Sequence, residues 1–318
     1  MRPAQAGRGP RDASATPARR LPRKEALGTV LAILAAVVSG VAIPANKLFV
    51  VSLDPAVFTA VRALLIGVVF LTISRWKGVR APPGSWKPLL LVAVVGGAAA
   101  FLLFFSGLQF TTAGRAAFLH KTLPLFVAVL GFAVLKERLG RRYFAGMLLL
   151  FLGIAAISFA TIAPGAFWTD PQLGDALVLA ATVLWAVENV AAKGVLSRGA
   201  HALVVQVARM LYGGLILLGV VVLTGKAGAL LALAPAQWMN IGVSTGLLLA
   251  YVGLYYWALS LINVSKAAAL LLLAPVVSLA LGMAAFGEPV PALQAAGSAV
   301  ILVGGYLMAT LPSEQRGV

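Results

Sequence analysis

AGRAAFLHKTLPLF (residues 113–126) returns as VSKAAALLLLAPVV (residues 264–277), 151 positions later. The same offset lays Glu137 on Glu288, Gly146 on Gly297 and the pair Phe104-Phe105 on Tyr255-Tyr256. Upstream, SGVAIPANK (39–47) lies over WAVENVAAK (185–193) at an offset of 146, and Arg62 over Arg209 at 147. A few small gaps therefore align nearly the whole chain with itself.

Each copy is made of membrane-crossing helices. Of 318 residues, 61% are hydrophobic and only 11% charged, with mean hydropathy +0.99. A soluble domain is roughly half apolar and a quarter charged, so this surface has too little charge to stay in water. Ten apolar runs reach spanning length: about 27–45, 56–74, 88–108, 112–135, 143–162, 175–193, 202–223, 238–259, 264–286 and 291–311. Five runs per copy is an odd number, so the two copies cross the membrane in opposite senses. The expected fold is an all-α integral membrane protein of about ten helices, arranged as two inverted five-helix repeats. Inverted repeats characterise secondary transporters, whose substrate sites lie near the bilayer midplane between the repeats.

The net charge of +16 could suggest nucleic-acid binding, but its distribution argues for a topology signal instead. Residues 1–25 carry seven Lys or Arg against Asp12 and Glu25. Arg75, Lys77, Arg80 and Lys87 join the second and third runs; Lys136, Arg138, Arg141 and Arg142 join the fourth and fifth; Arg198 follows the sixth. Residues 161–175 contain no Lys or Arg. Since cytoplasmic loops retain basic residues, both termini are expected in the cytoplasm and no nucleic-acid partner is expected. The stretch ARRLPRK before the first run resembles a secretory leader. The repeat includes that first helix, however, so it is read as a retained span. The expected divisions are a disordered basic tail 1–25, a first repeat 26–162, an external linker 163–174, a second repeat 175–311 and a tail 312–318. The chain has no cysteine and only His120 and His201, which leaves no thiolate or histidine-rich metal site. No metal or cofactor is expected.

These features together resemble the EamA-type members of the drug/metabolite transporter superfamily, which have ten helices and two EamA repeats. The resemblance rests on Lys47 and Lys193 at the end of the first helix of each copy, and on Arg62 and Arg209 in the next. Pro124 and Pro275 follow in the fourth helices, Glu137 and Glu288 just after them, and Gly146 and Gly297 in the fifth. One departure is Ser39, where the family often has Trp; the second copy keeps Trp185. The resemblance implies a multi-pass protein of the inner membrane that exports or exchanges small organic metabolites, often amino acids, and that is not an enzyme. It does not fix the substrate, the direction, the coupling ion or the oligomeric state.

Arg115, His120 and Lys121 lie inside one of the most apolar stretches, where a cation costs about 2.5–3.5 kcal/mol on insertion scales. On a helical wheel, Ala113, Ala117, Pro124, Ala128 and Gly131 share one narrow face, flanked by His120 and Lys121. Small residues mark packed or cavity-lining faces, so that pair is expected to point inward, while Arg115 on the opposite side snorkels to the headgroups. The second copy has Leu271 and Leu272 in place of His120 and Lys121. The scaffold thus accepts leucine there, which favours a ligand for Lys121 over a purely structural carboxylate partner. Glu188, opposite Ala42 in the first copy, also breaks the symmetry. It is either a proton-coupling group or a partner for Lys121 or Lys193. Lys47, Lys193, Arg62 and Arg209 occur in both copies and are read as anchoring or gating groups; Glu137 and Glu288 as local caps. Trp185, Phe104 and Tyr255 are candidates for the cavity wall, and Pro124 and Pro275 for helix kinks at cavity depth.

Two motif matches are set aside. Gly242-Val243-Ser244-Thr245-Gly246 fits G-x-S-x-G but sits in an apolar run, where small-residue packing explains it better than a nucleophile elbow. Asn263-Val264-Ser265 falls at an expected cytoplasmic helix start, where glycosylation does not occur. The leading expectation is alternating-access transport of amino acids or related carboxylates, with a small-molecule substrate and the lipid bilayer as partners. A lipid or lipid-linked carrier on the same scaffold is the alternative, and an integral-membrane enzyme a more distant one.

Overall fold

The computed structural model describes residues 21–49, 53–163, 165 and 170–313. Most of the two expected tails and part of the 163–174 linker lie outside these residues. Ten helices are long and apolar enough to cross a membrane: Arg23–Ala42, Pro55–Trp76, Trp86–Leu108, Gly114–Leu135, Arg141–Phe159, Leu173–Ser197, Ala202–Leu223, Pro235–Leu261, Val264–Ala284 and Ala292–Thr310. The sequence places all ten, with ends shifted by a few residues. Leu223, Val129, Phe132 and Val303 are exposed along these helices, as expected where lipid takes the place of a core. Trp76 and Trp86 are exposed at helix ends, where an interfacial aromatic belt belongs.

The packing obeys the inverted twofold relation. The fifth spans of the two repeats pack on each other, and so do the second spans. The first span packs on the eighth, and its counterpart the sixth packs on the third. The fourth span meets the sixth, and its counterpart the ninth meets the first. Each of these pairings has its mirror, as two copies of one five-helix unit require.

The fifth and tenth spans approach through glycines. A Cβ on Gly153 would lie 2.6 Å from the Gly297 carbonyl and 2.5 Å from Ile301 Cγ1, and one on Gly297 2.7 Å from the Gly153 carbonyl. Close backbone approach replaces the hydrophobic effect as the cohesive force between membrane helices. Gly153→Leu should therefore push the two spans apart and cost about 1–3 kcal/mol, read as a lower melting temperature in detergent. Substitution of Gly219, which has open space at its Cβ position, should leave the melting temperature unchanged.

The fourth and ninth spans are each broken at the same place. Helix Ala113–His120 ends at Lys121, and helix Leu123–Leu135 resumes with Pro124 in its first turn. In the ninth span Val264–Leu270 passes through a 3-10 turn, Leu271–Leu273, into Ala274–Phe286, again with Pro275 in the first turn. Proline has no N–H to give and its ring crowds the preceding turn, so helix restarts accommodate it. Broken helices are tolerated at membrane depth where they are buried in protein or line a cavity. The G-x-S-x-G stretch lies inside helix Pro235–Leu261. A Cβ placed on Gly242 or Gly246 would meet nothing within 4 Å, which corrects the packing explanation: these glycines face open space.

Candidate functional site

A cavity of about 230 Å³ lies between the repeats, at the breaks of the fourth and ninth spans. Ser39, Arg62, His120, Lys121, Trp185, Asn189, Arg209 and Tyr251 are its polar lining; Phe101, Leu247, Leu248, Leu271 and Leu272 are among its apolar wall. Phe101 and Phe105 also line a smaller cavity with Pro55, Gln109 and Lys226. Those residues lie at the face of the bundle away from the termini, so the central cavity adjoins that face.

One wall is aromatic. Trp185 stands edge-on to Phe101 at 5.3 Å and to His120 at 4.9 Å between ring centres. Its indole N–H donates to the Gly96 carbonyl at 3.2 Å, so the ring is fixed in position. His120 Nδ1 is buried without a partner. Phe104 packs on both His120 and Trp185 but does not itself reach the cavity. Tyr255, also expected at the wall, stands behind Tyr251, stacked on it at 5.8 Å. Its hydroxyl donates to Asn189 Oδ1 at 2.6 Å, which draws the ring into the core.

Glu188 is wholly buried and pairs with neither Lys121 nor Lys193. Its carboxylate lies 3.3 Å from Arg209 Nη1 and accepts from the Tyr256 hydroxyl, while Arg209 Nη1 donates to that same hydroxyl at 2.6 Å. Room for the carboxylate comes from Gly96, where any Cβ would strike the Glu188 side chain. Gly96 sits in a π-helical stretch, Val92–Ala99, and Arg209 in another, Ala208–Tyr212. Such wide turns recur at functional sites.

Lys193 ends elsewhere. Its Nζ donates to the Leu259 and Ile262 carbonyls, at 2.9 and 2.8 Å. These are the carbonyls a helix leaves unsatisfied at its C-terminus, so Lys193 caps the eighth span and the expected salt bridge gives way to that contact. Lys47 lies in helix Arg23–Phe49; its side chain is outside the described residues. Arg115 does not snorkel. It is buried and pairs with Asp175, which also accepts from Thr111 Oγ1 at 2.6 Å. The wheel put Arg115 on the outward side and the small residues inward; in this helix the order is reversed, with Ala117 exposed and Arg115 buried against the sixth span and its acid.

Glu137 also departs from its expected place. It is a cap, but not a local one: Oε1 accepts from Val264 N at 2.8 Å, and Oε2 from Ser265 N at 3.3 Å and Ser265 Oγ at 2.5 Å. It thus closes the N-terminus of the ninth span, in the other repeat. The fourth span, in the mirror position, is capped by its own Thr112, which accepts from Arg115 N at 3.3 Å. Glu288, the mirror of Glu137, is exposed. At the terminal face Lys266 also bridges Glu25 at 3.3 Å and the Leu311 carbonyl at 2.5 Å.

Lys121, His120 and Trp185 are thus brought together, as the sequence suggests. Arg62 and Arg209, read from the sequence as anchoring or gating groups, line the cavity, and Tyr256, to which the sequence reading gave no role, ties Arg209 to Glu188. Arg62 is buried, with its guanidinium 4.4 Å from the Phe58 ring centre and Nε without a partner. The signal was present, since any ionisable residue inside a span is a site candidate. Its duplication in both repeats pointed instead to structure.

The profile of the EamA-like transporter family matches residues 26–159 and 172–310, once per repeat. An uncharacterized transporter of Methanothermobacter thermautotrophicus is 26% identical over 88% of this chain and 85% of its own. Uncharacterized transporter YyaM of Bacillus subtilis is 24% identical over 77% and 79%. The chloroplastic WAT1-related protein At3g02690 of Arabidopsis thaliana is 26% identical over 85% and 66%. A solved crystal structure shares the fold, with a TM-score of 0.71 at 20% identity, over 88% of this chain and 95% of its own.

Proposed function

Because the chain belongs to the EamA-like transporter family, we propose that it is a secondary transporter of small carboxylate-bearing metabolites. It exports or exchanges them across the inner membrane by alternating access and performs no chemistry on them. The observation that carries this reading is Lys121. It lies at the break of the fourth span, lines a cavity between two inverted repeats, and has no carboxylate partner among the described residues. A cation at that depth is costly unless something answers it, and a substrate carboxylate does. Trp185 and Phe101 would hold the substrate's apolar part. The cavity volume of about 230 Å³ is below the roughly 300–1,000 Å³ of drug-sized pockets, which favours a small metabolite over a lipid.

Basic residues collect on the terminal face, from Arg75 to Lys87 and from Lys136 to Arg142, and support a cytoplasmic position for it. The Glu137 cap then closes the cytoplasmic entrance, and the cavity faces outward. The repeat suggests the opposite state: Glu288 would move onto the amides of residues 113 and 114 as Glu137 leaves Val264 and Ser265.

Purified protein in liposomes tests the reading. Vesicles loaded with unlabelled amino acids, organic acids or amines should show saturable counterflow of labelled partners for carboxylate-bearing compounds only. Lys121→Ala should abolish it. Counterflow that survives Lys121→Ala unchanged would make that lysine structural and remove it from the substrate site.

A further inference from the structure

The acidic residues of the molecule are few, and their positions limit what can enter the cavity. Among the described residues there are seven. Glu25 is held by Lys266, Asp54 by Lys226, Asp175 by Arg115 and Glu188 by Arg209. Glu137 is occupied by the amides and hydroxyl of the ninth span. Asp170 and Glu288 are exposed on the outer surface. None is left for Arg62 or Lys121, which line the same cavity from the second and fourth spans. With the Arg209–Glu188 pair neutral as a unit, the cavity holds two uncompensated positive charges and, among the described residues, no free carboxylate.

This arrangement is selective in two ways. Two cations removed from water are best answered by two anionic groups, one on each. Arg62 offers a planar fork that can grip a carboxylate with two parallel hydrogen bonds, while Lys121 offers a compact point charge. His120, with Nδ1 unpartnered beside Lys121, adds a further hydrogen-bonding atom. An ammonium group, by contrast, would meet no acceptor of opposite charge, because Glu188 does not line the cavity and is already paired with Arg209. Bringing an ammonium into this setting would leave a desolvated charge among cations, an arrangement that discriminates by repulsion as well as by attraction.

We infer that the cavity is built for a dicarboxylate without an ammonium group: one carboxylate on Arg62, the other on Lys121, with the carbon spine along Trp185, Phe101 and the leucines. This rests on the transport reading above and narrows its substrate class. Zwitterionic amino acids become poor substrates within it.

Three matched probes decide the matter in proteoliposomes containing the full chain. Succinate carries two carboxylates, butyrate the same carbon number with one, and aspartate is succinate with an ammonium added. Each is loaded against its own labelled form. Succinate counterflow should exceed that of butyrate and of aspartate by about tenfold or more, the difference expected from one additional charge-assisted hydrogen bond or one opposed charge. Arg62→Gln should abolish the preference of succinate over butyrate; Arg62→Lys should retain part of it. The wild-type comparison needs no variant to fold. Butyrate or aspartate moving as fast as succinate would overturn the dicarboxylate assignment and leave carboxylate transport standing. No counterflow with any of the three, nor with the wider carboxylate panel, would overturn the transport reading itself.

Discussion

Arg209→Met should destabilise the protein by about 3–5 kcal/mol, the loss seen when one member of a buried ion pair is removed and the other stays charged. Glu188 has no water to turn to: it is wholly buried, with Gly96 against it and the Tyr256 hydroxyl and Arg209 as its polar partners. Thermal unfolding in detergent would show the loss as a large drop in melting temperature. The double variant Glu188→Gln/Arg209→Met should recover much of it, because the neutral pair no longer strands a charge. The two changes should therefore be non-additive by about 0.5–3 kcal/mol. An unchanged melting temperature in Arg209→Met would show that Glu188 is uncharged at rest, which leaves it free to carry a proton.

That triad explains which parts of the site the sequence could reveal. Span number, parity and the inverted arrangement follow from run lengths and from the 113–126/264–277 repeat, because lipid forces every crossing segment into a helix. His120 and Lys121 line the cavity as expected, but not for the reason the wheel gave: on their own helix the small-residue face is exposed at Ala117 and Arg115 opposite it is buried. What a face meets is a different question. Arg115 met Asp175 of the sixth span, and Glu188 met Arg209 and Tyr256 of the seventh and eighth. These partners lie far away in sequence, so no periodicity within one helix contains them. The acids could nonetheless have been counted. So few carboxylates against cations in several spans means that some cations have no protein partner, although it takes the structure to show that these are Arg62 and Lys121.

Glu137→Gln should open the entrance on the terminal face, and the repeat explains why the effect is one-sided. The ninth span begins at Val264 with Asn263 as its cap residue, whose side chain makes no capping bond. The fourth span at the same place has Thr112, which does. Glu137 supplies from the first repeat what Asn263 does not. An anion at a helix N-terminus is stabilised by free amides and by the helix dipole together, and a lost cap costs about 0.5–2 kcal/mol. Glutamine keeps the shape but gives up the charge, and one of its two terminal atoms is a donor facing other donors. Because about 1.4 kcal/mol is a factor of ten, a two-state protein closed at this face should shift about tenfold toward opening there. The absence of cysteine from the chain makes the measurement clean. Ala268→Cys, on the cavity wall in the ninth span, should react with a membrane-impermeant thiol reagent applied from the terminal face about tenfold faster in the Glu137→Gln background. Glu288→Gln, whose carboxylate is exposed in this state, should not accelerate labelling from that face. If it slows labelling there, Glu288 is the cap that holds the opposite entrance shut, as the inverted repeat requires. Equal labelling in all three backgrounds would mean that the Glu137 cap stabilises the ninth span without holding the gate.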